Sequence, residues 1–405
     1  MSMNHIAITA EYNPFHTGHL QMLRELRRQA GADAVLTIIM SGSFVQRGEP
    51  ALFNKWSRAA WAVQCGADCV VELPSLYALS SAEGFAYGAV SLASQLGCTA
   101  LSCGVEEGSA GDIRLLAQMA LEAGSHPVAA SGQSYGDCLS DRISQMAPPE
   151  LAALLRRPNT LLAVEYAKAM LRRAPEMDFL PIRRHGRHDA PGTTGAFASA
   201  SAIRQAIAAG QADTVEAYLP GPVREAVRQR LQQGQYTDYS RYGDFVLCQG
   251  RLHTLETLQA TAAFSEGLEH RWNRIVPEAL SWPDALHQLK TRRYSYSRLC
   301  RMGAYTVLSV SQAHMDQAYT QDVPYARLLA ASPRGTAQLR ACRGTVPIIS
   351  RISQARTLTD WGRCLLAYDL RSTDIQHLCF HDAGARLGRQ DYYRTPYIQK
   401  DPSPV

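Results

Sequence analysis

Through the first two hundred residues, short apolar β-like runs alternate with longer amphipathic segments, and this alternation constrains the fold more than any other feature. His5-Ile6-Ala7-Ile8-Thr9 predicts a strand, followed by a loop and a helix from about His19 to Ala30 with Leu20, Leu23 and Leu26 at helical spacing. Ala34 through Met40 is a continuous apolar run of the kind buried on both faces of a sheet. Asn54 predicts the cap of a helix carrying Trp56, Ala59, Ala60 and Val63, and Cys69-Val70-Val71-Glu72-Leu73 predicts a third strand ending at Pro74. Ser81 through Leu96 reads as a helix, Ala100 through Cys103 as a fourth strand and Asp178 through Ile182 as a fifth. Strands alternating with helices imply a parallel sheet covered on both faces, with its binding site at the carboxyl ends of the strands.

After about residue 215 the pattern changes. Helical periodicity dominates from Pro222 through Leu289, with Asp244-Phe245-Val246-Leu247 looking strand-like and a further strand near Ile348-Ile349. The segment from Arg389 to Val405, rich in tyrosine and proline, reads as irregular. A length of 405 residues exceeds what one compact core usually serves, so two domains are expected, 1–215 and 216–405.

Charge divides the same way. The net charge of +5 splits into −2 for residues 1–200, with 16 Lys and Arg against 18 Asp and Glu, and +7 for residues 201–405, with 25 against 18. Nearly all the cations are Arg, whose planar fork suits phosphate. An Arg-rich, Ala-rich composition is also what a GC-biased coding sequence produces, but that bias does not account for the asymmetry between halves. No apolar run approaches the roughly 18 residues of a membrane span, and Met1-Ser2-Met3-Asn4 leads straight into a strand-like run, so neither secretion nor membrane insertion is expected. The 10 cysteines form no CxxC and read as reduced thiols of a cytoplasmic protein.

The sharpest chemical signal is Asn13-Pro14-Phe15-His16-Thr17-Gly18-His19, between the first strand and first helix. Two histidines at a helix N-terminus place imidazole donors beside unbonded backbone amides and the positive end of the helix dipole, an arrangement suited to a polyphosphate. Gly18 allows close backbone approach and Pro14 fixes the loop. Ala198-Ser199-Ala200-Ser201-Ala202-Ile203-Arg204 offers a second phosphate-binding helix start, with Ser201 as the expected cap and Arg204 in the first turn. No GxSxG elbow or HExxH helix is present.

NPFHxGH after an apolar strand resembles the HxGH nucleotidyltransferase superfamily, and the late Ser199 to Arg204 segment resembles its ISSTxIR motif. Met40 through Pro50, Lys55-Trp56-Ser57-Arg58, Gly66-Ala67-Asp68, Glu72-Leu73-Pro74, Pro158-Asn159 and Glu165-Tyr166 narrow the likeness to the bacterial tRNA(Met) cytidine acetate ligase family. Arg292 through Leu299, Tyr325 through Leu329 and Gly335 extend it into the basic half. The resemblance implies a Rossmann-like (HUP-type) nucleotidyltransferase domain followed by a mainly helical tRNA-binding domain. It implies an enzyme that activates acetate with ATP as acetyl-adenylate, then acetylates N4 of the wobble cytidine of elongator tRNA(Met), releasing pyrophosphate and AMP. ATP is expected with Mg²⁺, without acetyl-CoA and with no protein-held metal; acetate and the tRNA are the partners, and no stable protein partner is inferable. In role, His16 and His19 would be catalytic. Ala7, Ile8, Thr9, Ala10, Glu11, Tyr12, Asn13, Pro14, Phe15, His16, Thr17, Gly18, His19 and Leu20 would embrace ATP, completed by Gly104, Asn159, Arg183 and Arg184. Ser201 and Arg204 would reach phosphate, whereas Glu106 and Asp68 would serve either Mg²⁺ or structure. Thr17, Ser43 and the Ser102-Cys103-Gly104-Val105-Glu106 segment depart from the family pattern, which touches pocket detail more than reaction class.

For RNA, Arg292, Arg293, Tyr294, Tyr296, Arg298 and Arg301 interleave cations with rings that could grip phosphates and stack on bases. Two other functions fit the residues less well. Nucleotidyl transfer to a small phosphorylated metabolite has no use for a basic second half, and a non-catalytic RNA-binding factor has no use for an intact HxGH.

Overall fold

In the computed structural model, which describes residues 5–124, 135–183, 198–342 and 345–400, the apolar runs become strands. They are β1 (His5–Ala10), β2 (Val35–Ser41), β3 (Phe44–Val45), β4 (Glu49–Pro50), β5 (Cys69–Leu73), β6 (Ala100–Val105), β7 (Asp178–Arg183), β8 (Ala326–Ala331), β9 (Ile348–Ile349) and β10 (Tyr397–Ile398). Every residue of β2 is buried, as a strand covered on both faces requires.

The main sheet runs β10-β8-β5-β2-β1-β6-β7, with β9 also paired to β8, while β3 and β4 form a separate hairpin. β1, β2, β5, β6 and β7 are mutually parallel, and β8 closes the β5 side antiparallel. Ile6 and Ile8 of β1 pack with Leu36, Ile38 and Met40 on one face, and Ala7 packs with Ile39 and Leu101 on the other. This is the period-two alternation of side chains from a pleated strand. The fold is thus Rossmann-like, a mostly parallel sheet flanked by helices, with a largely helical region after it.

Two expectations need correction. Asp244-Phe245-Val246-Leu247 is not a strand but the middle of the helix Tyr239–Leu252. Its buried residues Tyr242, Val246, Leu247 and Gly250 fall on one helical stripe, so periodicity over fourteen residues outweighs four apolar neighbours. The segment after Arg389 is not irregular throughout but holds a short helix at Gln390–Tyr393 and strand β10. Beyond residue 215 the chain still contributes β8, β9 and β10 to the sheet. One apolar cluster also runs continuously from Val71 and Leu101 to Tyr242, Trp272 and Leu365, so the two halves share a core.

Candidate active site

The loop after β1 is held by charges that the fold has buried. Arg58, fully buried on the helix Lys55–Gln64 that Asn54 caps, donates from Nε to the Phe53 carbonyl (3.0 Å) and from Nη1 to the carbonyls of Glu11 (2.6 Å) and Ser41 (3.1 Å). Its other terminal nitrogen donates to the Gly42 carbonyl. Burial lowers its pKa to about 10, still far above neutrality, so it remains a cation clamping the loops that follow β1 and β2. Asn13 adds a bond from the Leu52 amide to its Oδ1 (2.8 Å), and the Asn13–Pro14 peptide is cis. Tyr12, at φ 46°, packs its ring edge-on to Phe15 and His19, each at 4.8 Å.

His16 is not merely near the first helix; it is its N-cap. The helix spans Thr17–Ala30, two residues earlier than periodicity alone suggested. The Gly18 amide donates to His16 Nδ1 (3.1 Å), and the His16 amide donates to His19 Nδ1 (3.2 Å). These reciprocal bonds satisfy helix-start amides in the manner of a capping box. They also set the tautomer, since an Nδ1 that accepts cannot carry the proton. Each neutral ring therefore has Nε2–H as its donor. The rings stack with centroids 3.8 Å apart.

Both histidines line a cavity of about 570 Å³ at the carboxyl ends of β1, β6 and β7. Ile8, Thr9, Ala10, Glu11, Tyr12, Asn13 and Gly18 share its wall, as do Gly104, Asn159, Arg183, Ser201 and Arg204. Ala7 and Phe15 are buried in the core instead, and Pro14, Thr17 and Leu20 lie off the lining. Arg184 falls outside the described residues. In the second motif the cap is Ser199, not Ser201: the Ala202 amide donates to Ser199 Oγ (3.1 Å). Ser201 instead receives Arg204 Nη2 (3.3 Å), while Arg204 Nη1 donates to the Asn13 carbonyl (2.8 Å) and joins the two motifs directly.

Glu106 and Asp68 serve structure. Glu106 accepts from the Asn159 amide (3.1 Å), Asn159 Nδ2 (2.6 Å) and the Thr160 amide (2.9 Å) at the start of the helix Pro158–Arg173. Asp68 accepts from Arg27 (2.7 Å) and the Leu36 amide (2.9 Å). Among the described residues no group of three His, Cys, Asp or Glu could hold a metal ion.

Sequence reasoning missed the apolar wall formed by Phe85, Cys103, Leu162 and Tyr166, and the hairpin residues Gln46, Arg47 and Glu49 at the rim. The only signal for the hairpin was its membership of the family-like stretch from Met40 to Pro50, which assigned it no task.

The residues singled out for RNA separate by exposure. Arg292 and Arg293 are exposed and Tyr296 is 50% exposed. Tyr294 is buried, its hydroxyl donating to the Glu266 carbonyl (3.3 Å), so its ring serves packing rather than base stacking. Arg298 covers that ring at 5.2 Å and pairs with Glu266 (3.4 Å), and Arg301 reaches the Gln46 carbonyl (3.4 Å) at the cavity rim.

Residues 3–391 match the family model described as HIGH Nucleotidyl Transferase. A tRNA(Met) cytidine acetate ligase of Latilactobacillus sakei is 34% identical over 383 residues, covering 92% of both chains. That of Bacillus subtilis is 32% identical, covering 87% of this chain and 88% of the relative. The crystal structure of Thermotoga maritima TmcAL bound with alpha-thio ATP superposes with a TM-score of 0.90 at 27% identity, covering 98% of this chain and 99% of that one. With relatives of this identity along nearly its whole length, the chain belongs to the tRNA(Met) cytidine acetate ligase family.

Proposed function

We propose that this protein is an ATP-dependent ligase that activates acetate as acetyl-adenylate and transfers the acetyl group to N4 of the wobble cytidine of elongator tRNA(Met). The observation that carries the reading is the convergence of two Nε2–H imidazole donors and the Arg204 guanidinium on one cavity at the carboxyl edge of the sheet. Acetate attacks the α-phosphate of ATP; a P–O bond to it forms as the bond to pyrophosphate breaks. His16 and His19 stabilise the charge developing on the phosphates, worth about 3 kcal/mol each by comparison with other such donors. Ser201 and Arg204 hold the departing pyrophosphate, with Gly104, Asn159 and Arg183 completing the ATP site. Residues 1–215 carry this chemistry, and residues 216–405 present the tRNA.

ATP brings Mg²⁺ on its own phosphates and water. Acetyl-CoA is not a substrate. No helix among the described residues is long and apolar enough to cross a membrane, and the reaction belongs in the cytoplasm, where tRNA and ATP meet. The assay combines protein, ATP, labelled acetate and tRNA. Labelled N4-acetylcytidine requiring ATP and acetate is the expected result. Label that enters only from acetyl-CoA, or not at all, refutes the proposal.

A further inference from the structure

A cytosine N4 amine is a weak nucleophile because its lone pair is delocalised into the ring, so it must lose a proton as it attacks a carbonyl. Whatever accepts that proton must lie in the cavity and be able to give up its present bonding. The imidazoles are poorly placed to do so, because both Nδ1 atoms already accept backbone amides and each neutral ring keeps its proton on Nε2. Arg47, Arg183 and Arg204 are cations with nothing to accept through. Burial pushes the Tyr12 and Tyr166 phenols upward, away from the anionic form.

Three carboxylates line the cavity: Glu11, Glu25 and Glu49. Glu11 Oε1 accepts the Gln46 amide (2.9 Å) and so ties the β1 loop to the hairpin. Glu25 is engaged by Arg28 (2.6 Å) and Gln29 (2.7 Å) on its own helix. Glu49 differs from both: half-buried at the start of β4, its carboxyl makes no hydrogen bond or ion pair with any described residue. Burial raises its pKa, against the opposing pull of Arg204 and Arg47, which is the direction that makes a carboxylate a better base.

Its position is fixed from the second half of the chain. The β3–β4 hairpin rests on the helix Tyr296–Leu308, so closely at Gly48 that a Cβ there would come within 2.3 Å of the Arg301 amide nitrogen. The Tyr242 hydroxyl donates to the Gly48 carbonyl (3.1 Å) from the second half. The half-exposed Tyr296 ring lies within the electrostatic reach of Glu49. A carboxylate with no bond to any described residue thus stands between the phosphate-binding motifs and the half-exposed Tyr296 ring.

We propose that Glu49 is the general base of the second step, taking the proton from the cytidine N4 amine as it attacks acetyl-adenylate. This rests on the reaction proposed above. The N4–C bond forms, the C–O bond to the phosphate breaks with its electron pair leaving on AMP, and the N4 proton passes to a Glu49 carboxylate oxygen and on to solvent.

The test separates the two steps in E49Q, which preserves shape and removes basicity. The first is read as acetate-dependent exchange of pyrophosphate into ATP, and the second as single-turnover transfer from preformed acetyl-adenylate to tRNA. Transfer is expected to fall about 100-fold, within the range for loss of a general base, while exchange falls less than about threefold. Hydroxylamine, a strong nucleophile that needs no base, should capture acetyl from E49Q and from the native protein at the same rate, and E49D should recover part of the transfer. Transfer within about threefold of native in E49Q overturns the proposal, as does a parallel loss of exchange, transfer and hydroxylamine capture, which would make Glu49 structural. A native protein that exchanges no pyrophosphate would instead overturn the ligase reading itself.

Discussion

Substituting Gly18 by Ala tests whether the capping arrangement of His16 and His19 positions them for chemistry. An added Cβ would sit 2.9 Å from His16 Cε1 and 3.1 Å from Nδ1, whereas relaxed contacts need about 3.5–4.0 Å. The imidazole must therefore retreat by about 0.6–1 Å, which opens the 3.1 Å bond from the Gly18 amide beyond hydrogen-bonding range. For stability the effects offset. Losing the cap bond costs about 1 kcal/mol, and replacing a helical glycine returns about 0.5–1 kcal/mol. For catalysis they do not, because misplacing a transition-state donor by about 1 Å costs on the order of 100-fold, or about 2.7 kcal/mol. Acetate-dependent ATP–pyrophosphate exchange should thus fall about 100-fold, with Tm moving by less than about 2 °C. Exchange within about threefold of native would refute the reasoning, and so would an activity loss that merely tracks a fall in Tm.

Three further outcomes follow from the buried and exposed charges. Burial drives the imidazoles of His5 and His377 down to about 4, while the unfolded chain protonates them near 6.5, so the native state binds fewer protons between those values. Their contribution to stability is complete above pH 6.5 and is lost as pH falls toward 4, by about 3 kcal/mol per histidine. Urea unfolding that is flat between pH 7 and pH 5 would contradict this. Lys55→Met leaves the buried carboxylates of Glu72, at 2.7 Å, and Asp391, at 3.0 Å, with Arg327 as the remaining cation that pairs with both among the described residues. It should cost about 3–5 kcal/mol by urea unfolding, and a loss below about 1 kcal/mol would refute the network's importance. Replacing exposed Arg292 and Arg293 by Ala should weaken tRNA binding and lower the salt slope by about one for each phosphate no longer neutralised; an unchanged slope would move the footprint elsewhere.

Local signals in the sequence survived because their causes are local. β2 was legible as an unbroken apolar run, and Asn54 as a cap, since it bonds an amide three residues away. Where two local solutions compete, the sequence could not choose: Ser199 and Ser201 are both good caps, and the fold settles it, with the Ala202 amide on Ser199 Oγ while Ser201 receives Arg204, which also reaches Asn13. β8 was harder still. Its Ala-Arg-Leu-Leu-Ala-Ala composition favours helix, yet it pairs antiparallel to β5 from Cys69↔Ala331 to Glu72↔Arg327 because the sheet needs its edge covered there. Tertiary context overrides propensity at that strand. A fragment ending at residue 215 lacks this cover, which makes full-chain surface variants the sounder way to map tRNA binding.

The buried charges were the least legible feature, and they bear most on the site. Patterning sends charged residues to the surface, so nothing local marks Lys55, Arg58 and Glu72 as interior. Their partners lie on segments brought together only by the complete sheet. Glu72 pairs with Lys55 and Arg327, and both cations reach Asp391, in the segment expected to be irregular. Glu72 also packs so tightly on Gly42 that a Cβ there would meet Oε1 at 2.2 Å, and Arg58 grips the Gly42 carbonyl from the same helix as Lys55. The loop after β2 is therefore held from one side by a cation that also holds the cavity-lining loop after β1, and from the other by a carboxylate joined through Lys55 and Arg327 to Asp391. Residues 1–215 supply every candidate catalytic group, yet Glu72, packed on the loop after β2, pairs with Arg327, which in turn pairs with Asp391. The two halves of the chain are thus one folded unit, and a change in the segment around Asp391 has a direct route to the loops beside the candidate site.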